Sequence, residues 1–239
     1  MIAGIMQPYF FPYLGYFDLI FRSDVWVVFD LVNFQPKTWM TRNCILHPRE
    51  GRQYINCRIS GNSQNMLIWK AQLIDPVGDR TKILGQLAHY KKHAPYYAEV
   101  IRLVERAFDE RKNDTLTALN VSAMKVICDY LMIPFAPVIA SEQQFSLPPI
   151  TYAGQWALEI TSLLNANMYI NPPGGRSLFH PSEFRERGIR LAFTRVLDFA
   201  YPCAHYTFEP RLSILDVLMW NSPDDTRARL GRDELDFVS

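Results

Sequence analysis

Residues 2–30, IAGIMQPYFFPYLGYFDLIFRSDVWVVFD, carry the pattern that decides the fold. An apolar run from Ile2 to Met6 stops at Gln7-Pro8. A loop dense in aromatics and prolines follows, and Leu14-Gly15-Tyr16 then opens a segment that reads as a helix. A second apolar run, 25–29, stops at Asp30. Strand, loop, helix and strand in this order predict a parallel pair, and parallel sheets gather ligand sites where such strands end. Gln7, Tyr9 and Tyr13 fall after the first strand, Asp30 and Asn33 after the second.

Working outward, the runs 135–140, 168–171 and 189–193 have the length and composition of strands buried on both faces. Helices are expected between some of them. Tyr97, Val100, Ile101, Val104 and Phe108 repeat at helical spacing, as do Leu116, Leu119, Ala123, Val126, Ile127 and Tyr130, with Asn113 or Asp114 available as N-cap. Ala157, Ile160, Leu163 and Leu164 mark a shorter helix, and 181–187 a brief one closed by Gly188. Residues 38–75 differ: TWMTRNCIL, QYINCRI and MLIWKAQLI read as strands separated by the turn-rich PREGR and SGNSQN. The expected fold is therefore α/β: a mostly parallel, Rossmann-like sheet flanked by helices, with a small antiparallel excursion. A single domain over 1–239 accommodates it, 38–75 being the β-rich excursion and 80–131 a helical segment. The charged tail 222–239 is expected on the surface.

Composition narrows the function. A formal net charge of +1 gives no global field for nucleic acid or membrane, so extended nucleic-acid contact is not expected. The N-terminal apolar run is too short for a secretory or spanning segment. Cys44, Cys57, Cys128 and Cys203 form no CxxC pair and are expected as free thiols in a reducing compartment, the cytoplasm. His47, His89, His93 and His180 have no metal-site spacing, no GxSxG elbow occurs, and no cofactor is named by the residues.

MQPYFFPYLGYFDLI, WMTRNCIL, YINPPGGRSLF and FEPRLSILD resemble the WbqC-like family of bacterial proteins, over nearly the whole chain. The resemblance implies a role in surface-polysaccharide (O-antigen) biosynthesis and a glycine transferase activity. The family pattern often pairs aspartates after the second strand and adds a glutamine, where this chain has Leu31 beside Asp30 and the amide Asn33. The layout around Tyr13-Leu14-Gly15-Tyr16 is also similar to the HxGH segment of class I synthetases and nucleotidyltransferases. Both histidine positions are tyrosine here, and a phenol with a pKa of about 10 supplies no cation at neutral pH.

The candidate residues follow from position and residue type. For accepting a proton, Asp30 is first and His205 second. Tyr13, Arg42 and the N–H groups of Gly174-Gly175 are candidates for oxyanion or phosphate contacts. Lys37 and Arg42 suit a phosphate or carboxylate, against the plainer reading of a basic pair on an edge strand; the family segment favours Arg42 with Asn43. Gln7, Tyr9, Tyr16 and Asn33 are assigned to sugar binding, and Gly15 is placed with them as a substrate-binding residue, against the plainer reading that it only lets the helix pack closely on the strand. Asn171 opens the PPGG turn at a strand's carboxyl end. Ser213 and Asp216 read as a capping box. Aromatic-proline loops also serve simply to cover a core.

The leading expectation is a transferase that joins glycine or another small acyl group to a sugar, its partners being a sugar or nucleotide-sugar and an activated amino-acid donor. A nucleotide-using ligase or nucleotidyltransferase, and a non-catalytic nucleotide-sugar-binding module, are the alternatives. The site requires Asp30, Arg42 and Gly174 to open on one cavity.

Overall fold

The structure, a computed structural model, describes residues 1–61, 65–197 and 199–238. The centre of the SGNSQN turn lies outside the described residues. β1 (Ile2–Met6), α1 (Leu14–Arg22) and β2 (Val25–Val28) form the expected unit, with β1 and β2 parallel and Gly4 opposite Trp26. β1 pairs on its other edge with β8 (Met168–Asn171), and β8 with β9 (Arg190–Phe193), again in parallel. β7 (Val138–Ile139) joins β2, and β10 (Asp236–Phe237) closes the far edge as an antiparallel strand. The sheet order is β10-β9-β8-β1-β2-β7. Chain progress runs one way from β1 to β2 and β7 and the other way from β8 to β9, so the order reverses between β1 and β8. In open α/β sheets, ligands bind beyond the strand ends at such a reversal.

Alternation along the strands buries both faces. Ile5, Val27, Tyr169, Leu191 and Phe193 pack with α5 (Gln155–Leu163) and α6 (Pro181–Glu186). Trp26, Val28, Met168, Ile170 and Ala192 join the larger core on the opposite face. That core also holds α2 (Pro76–Leu87), α3 (Tyr97–Asp109), α4 (Leu116–Tyr130) and α7 (Ile214–Trp220). This explains runs that are apolar throughout rather than alternating.

Residues 38–75 are antiparallel as expected, but they divide into two separate ribbons. β3 (Arg42–Leu46) pairs with β4 (Arg52–Asn56), and β5 (Ile59–Ser60) pairs with β6 (Gln72–Leu73). TWMTRNCIL enters its strand only at Arg42, because Lys37 has φ +58 and the Thr41 N–H bonds the Thr38 carbonyl in a turn. In MLIWKAQLI a 3-10 turn at Ile68–Lys70 takes the place of most of the strand. The run 135–140 yields two strand residues, since Pro134 and Pro137 offer no N–H to a ladder. α4 is capped by Thr115, whose Oγ1 accepts from the Ala118 N–H at 3.1 Å, while Asn113 Oδ1 holds Thr115 in turn. The tail forms α8 (Pro223–Arg229) and β10, with both β10 residues exposed.

Candidate functional site

The loop after β1 is irregular, so its backbone oxygens need partners from elsewhere. Tyr16 Oη donates to the Gln7 carbonyl at 2.7 Å, and Asn120 Nδ2 from α4 donates to the Pro8 carbonyl at 2.9 Å. Asn43 Nδ2 from β3 donates to Phe10 at 3.2 Å and to Phe11 at 2.8 Å. Ser213 Oγ donates to the same Phe11 oxygen at 2.7 Å, and the Ile214 N–H to Pro12 at 2.9 Å. Three distant segments therefore hold this elbow in a shape that its residues do not favour alone, Phe11 having φ +38. Proline at 8 and 12 removes two N–H groups that would otherwise need acceptors.

Held in this way, the elbow forms one wall of a cavity of about 550 Å³ beyond the carboxyl ends of β1, β8 and β9. Tyr9 and Tyr13 come from the elbow, Trp39 and Asn43 from the excursion, and 172–174 from the PPGG turn. The opposite wall is the long connection from β9 to α7, through Thr194, Arg195, Phe199, Tyr201, Phe208 and Arg211. Among the described lining residues there is no Asp, Glu or His, and neither Arg195 nor Arg211 has an ion pair among the described residues. Leu14 and Gly15, in the first turn of α1, also line the cavity. Tyr13 at the N-cap gives that helix no side-chain hydrogen bond, so its positive end is uncapped. Burial pushes the Tyr13 phenol up, Tyr9 adds to this, and Arg211 opposes it. The close approach at Gly15 is of a different kind from helix packing: a Cβ there would stand 2.5 Å from Tyr13 Cε2, so a side chain would displace the Tyr13 ring.

The shared cavity expected for Asp30, Arg42 and Gly174 does not form. Asp30 borders a separate polar cleft of about 490 Å³ with Trp69, Thr117, Lys125 and Ser141. Its side chain is fully buried; Oδ1 accepts from the Ser141 N–H at 2.9 Å, and Oδ2 from Ser141 Oγ at 2.7 Å and Thr117 Oγ1 at 3.2 Å. Burial raises its carboxyl pKa, and those bonds from Ser141 and Thr117 counteract the rise. Arg42 is drawn away by Tyr54, its guanidinium lying 4.4 Å from that ring centroid. Gly174 does line the cavity.

The remaining candidates divide between the cavity and the scaffold. Tyr9, Tyr13, Gly15 and Asn43 line the cavity, although the Asn43 amide is engaged by the elbow. Tyr16 is fully buried with its hydroxyl on Gln7, and neither residue lines either cavity. Asn171 is buried and accepts from Tyr169 Oη at 2.9 Å; Gly175 makes room for its amide. Lys37 and Asn33 are exposed, Asn33 facing Asn65. His205 is exposed and packs on Tyr206 and on His93, 4.5 Å between imidazole centroids.

Arg195, Phe199 and Tyr201 are cavity residues that the sequence reading did not single out, and Phe208 and Arg211 entered it only within the family segment FEPRLSILD. A twenty-residue stretch with no helical or strand period but four aromatics and two arginines, between β9 and α7, was the available signal. Asp216 also differs from expectation. Ser213 caps α7 through the Leu215 N–H at 3.3 Å, but Asp216 does not return to complete a capping box. It is fully buried and accepts from Tyr201 Oη at 2.8 Å, from the Leu46 N–H at 3.2 Å and from Tyr90 Oη.

No helix among the described residues is long and apolar enough to cross a membrane, and none of their acidic, His or Cys side chains group as a metal site. No solved structure matches the chain. It is 25% identical, over 90% of its own length and 92% of the other, to the uncharacterized protein Rv1507c of Mycobacterium tuberculosis. The profile of the WbqC-like protein family matches residues 7–228, a span that contains the elbow, both cavity arginines and Asp216. The chain belongs to the WbqC-like protein family.

Proposed function

We propose that the protein is a transferase that attaches glycine, or a similarly small acyl group, to the sugar of a nucleotide-linked substrate in bacterial surface-polysaccharide synthesis. The observation that carries this reading is the aromatic cavity at the sheet reversal, with two arginines that have no ion pair among the described residues and an uncapped helix end. Its volume is within the range of small-molecule sites. Aromatic faces such as Tyr9, Trp39 and Phe208 take the apolar side of a sugar ring or a base. Arg195, Arg211 and the first turn of α1 take phosphate oxygens. Acyl transfer requires the acceptor amine or hydroxyl to attack an activated carbonyl; the resulting oxyanion needs a donor, and the Tyr13 hydroxyl is the one proposed. Asp30 serves this site from outside, by fixing the end of β2 to α4 and to Ser141.

The test is direct. Purified protein incubated with UDP-amino sugars and activated glycine donors should yield a sugar heavier by one glycyl unit in mass spectrometry. Unmodified sugar across all donors contradicts the reading.

One observation favours a second reading, a non-catalytic nucleotide-sugar-binding module: no carboxylate or imidazole lies among the described lining residues. Tight UDP-sugar binding without any product would select it. The HxGH-like ligase reading loses support because Tyr16, at the second histidine position, is withdrawn into the core.

A further inference from the structure

Among the described lining residues there is no carboxylate or imidazole to accept a proton, but a carboxylate lies one residue behind them. Tyr201 lines the cavity and is 8% exposed; its hydroxyl donates to Asp216 Oδ1 at 2.8 Å. Among the described residues, the other groups facing that carboxylate are Tyr90, from the 3-10 turn Ala88–Lys92, Cys203 from the long connection, and the Leu46 N–H of β3. None is a cation. A buried carboxylate held only by neutral donors is costly as an anion and gains by receiving a proton. Burial raises the Asp216 carboxyl pKa, which the Tyr90 and Tyr201 hydrogen bonds partly offset. Pinning the Tyr201 ring as a wall would need only a neutral acceptor.

We propose that Tyr201 and Asp216 form a proton relay for the cavity: the attacking amine or hydroxyl gives its proton to Tyr201 Oη as Tyr201 passes its own to Asp216 Oδ1. The nucleophile's lone pair forms the bond to the acyl carbon, and the tetrahedral oxyanion collapses to expel the donor's leaving group with its bonding pair. The proton returns from Asp216 through Tyr201 to that leaving group or to water. Tyr201 is the catalytic residue and Asp216 acts through it. The relay rests on the transferase reading, since a module that only binds needs no base.

Tyr90→Phe supplies the decisive control, because it removes an equivalent hydrogen bond to Asp216 from the side away from the cavity. Tyr201→Phe and Asp216→Asn should lower kcat at least about 100-fold, the usual scale of general-base loss, with the Kd for a UDP-amino sugar within about threefold of wild type. Tyr90→Phe should keep most of kcat and move the acidic limb of kcat/KM to higher pH, since a donor to the charged carboxylate is gone. Tyr201→Phe transferring at the wild-type rate, or Tyr90→Phe losing as much as Tyr201→Phe, overturns the relay alone. A wild-type protein that makes no product from any donor overturns the transferase reading and the relay together.

Discussion

Asn43 Nδ2 bridges the carbonyl oxygens of Phe10 and Phe11, while its Oδ1 accepts the Cys44 N–H at 2.8 Å. One buried amide thus couples β3 to the elbow and uses both its donor and its acceptor. Asn43→Asp keeps the shape but turns a carboxylate oxygen towards two carbonyl oxygens. It should lower unfolding stability by about 3 kcal/mol or more, the scale of an unsatisfied buried group plus an unpaired charge. Urea unfolding at neutral pH checks this, and a change under about 0.5 kcal/mol would remove Asn43 as the elbow's anchor.

Asp30 gives a pH-dependent prediction. Burial raises its folded-state pKa above the ordinary carboxylate value. The folded state therefore holds the proton more tightly than the unfolded state. The associated stability is complete below the ordinary aspartate range, is lost as pH rises through the raised folded value, and is constant above it. Relative to Asp30→Asn, wild type should lose stability across that window in denaturant titrations. A parallel pair of curves would show that Asp30 titrates alike in both states. Because Asp30 lies outside the aromatic cavity, Asp30→Asn should also leave UDP-sugar affinity within about threefold.

Arg195 and Arg211 are exposed cations on the wall that carries Phe199, Tyr201 and Phe208. If each makes a charge-assisted bond to phosphate, worth about 1.5–3 kcal/mol, either Arg→Ala substitution should weaken UDP-sugar binding by about 10- to 100-fold. Neither should change the midpoint of thermal unfolding, since no structural ion pair is lost among the described residues. Calorimetric titration separates the outcomes: unchanged affinity in both variants would place the anion elsewhere.

The parallel core was legible because strands buried on both faces must be apolar throughout, as Ile2–Met6 and Met168–Asn171 are. The long helices were legible because α3 has one apolar face. The tertiary partners were not. Nothing local shows that Asn43 and Ser213 serve the same Phe11 oxygen, or that Asp216 turns from its own helix towards Tyr90 and Tyr201. Asp30 reads as a base from its place after β2, yet Thr117 and Ser141, 87 and 111 residues away, enclose it. Arg42 reads as a ligand contact until Tyr54 on the paired strand takes its guanidinium. The aperiodic β9–α7 connection supplies half the cavity, and period-based reading passes over such a segment.

The central claim is that the aromatic cavity at the β1–β8 reversal receives an anionic sugar ligand. A crystal structure of the complex with a UDP-amino sugar tests it most directly. The account predicts phosphate oxygens within hydrogen-bond distance of Arg195 or Arg211 and the first turn of α1, with a ring stacked on Tyr9, Trp39 or Phe208. A ligand bound in the Asp30 cleft, with the aromatic cavity empty, would contradict it.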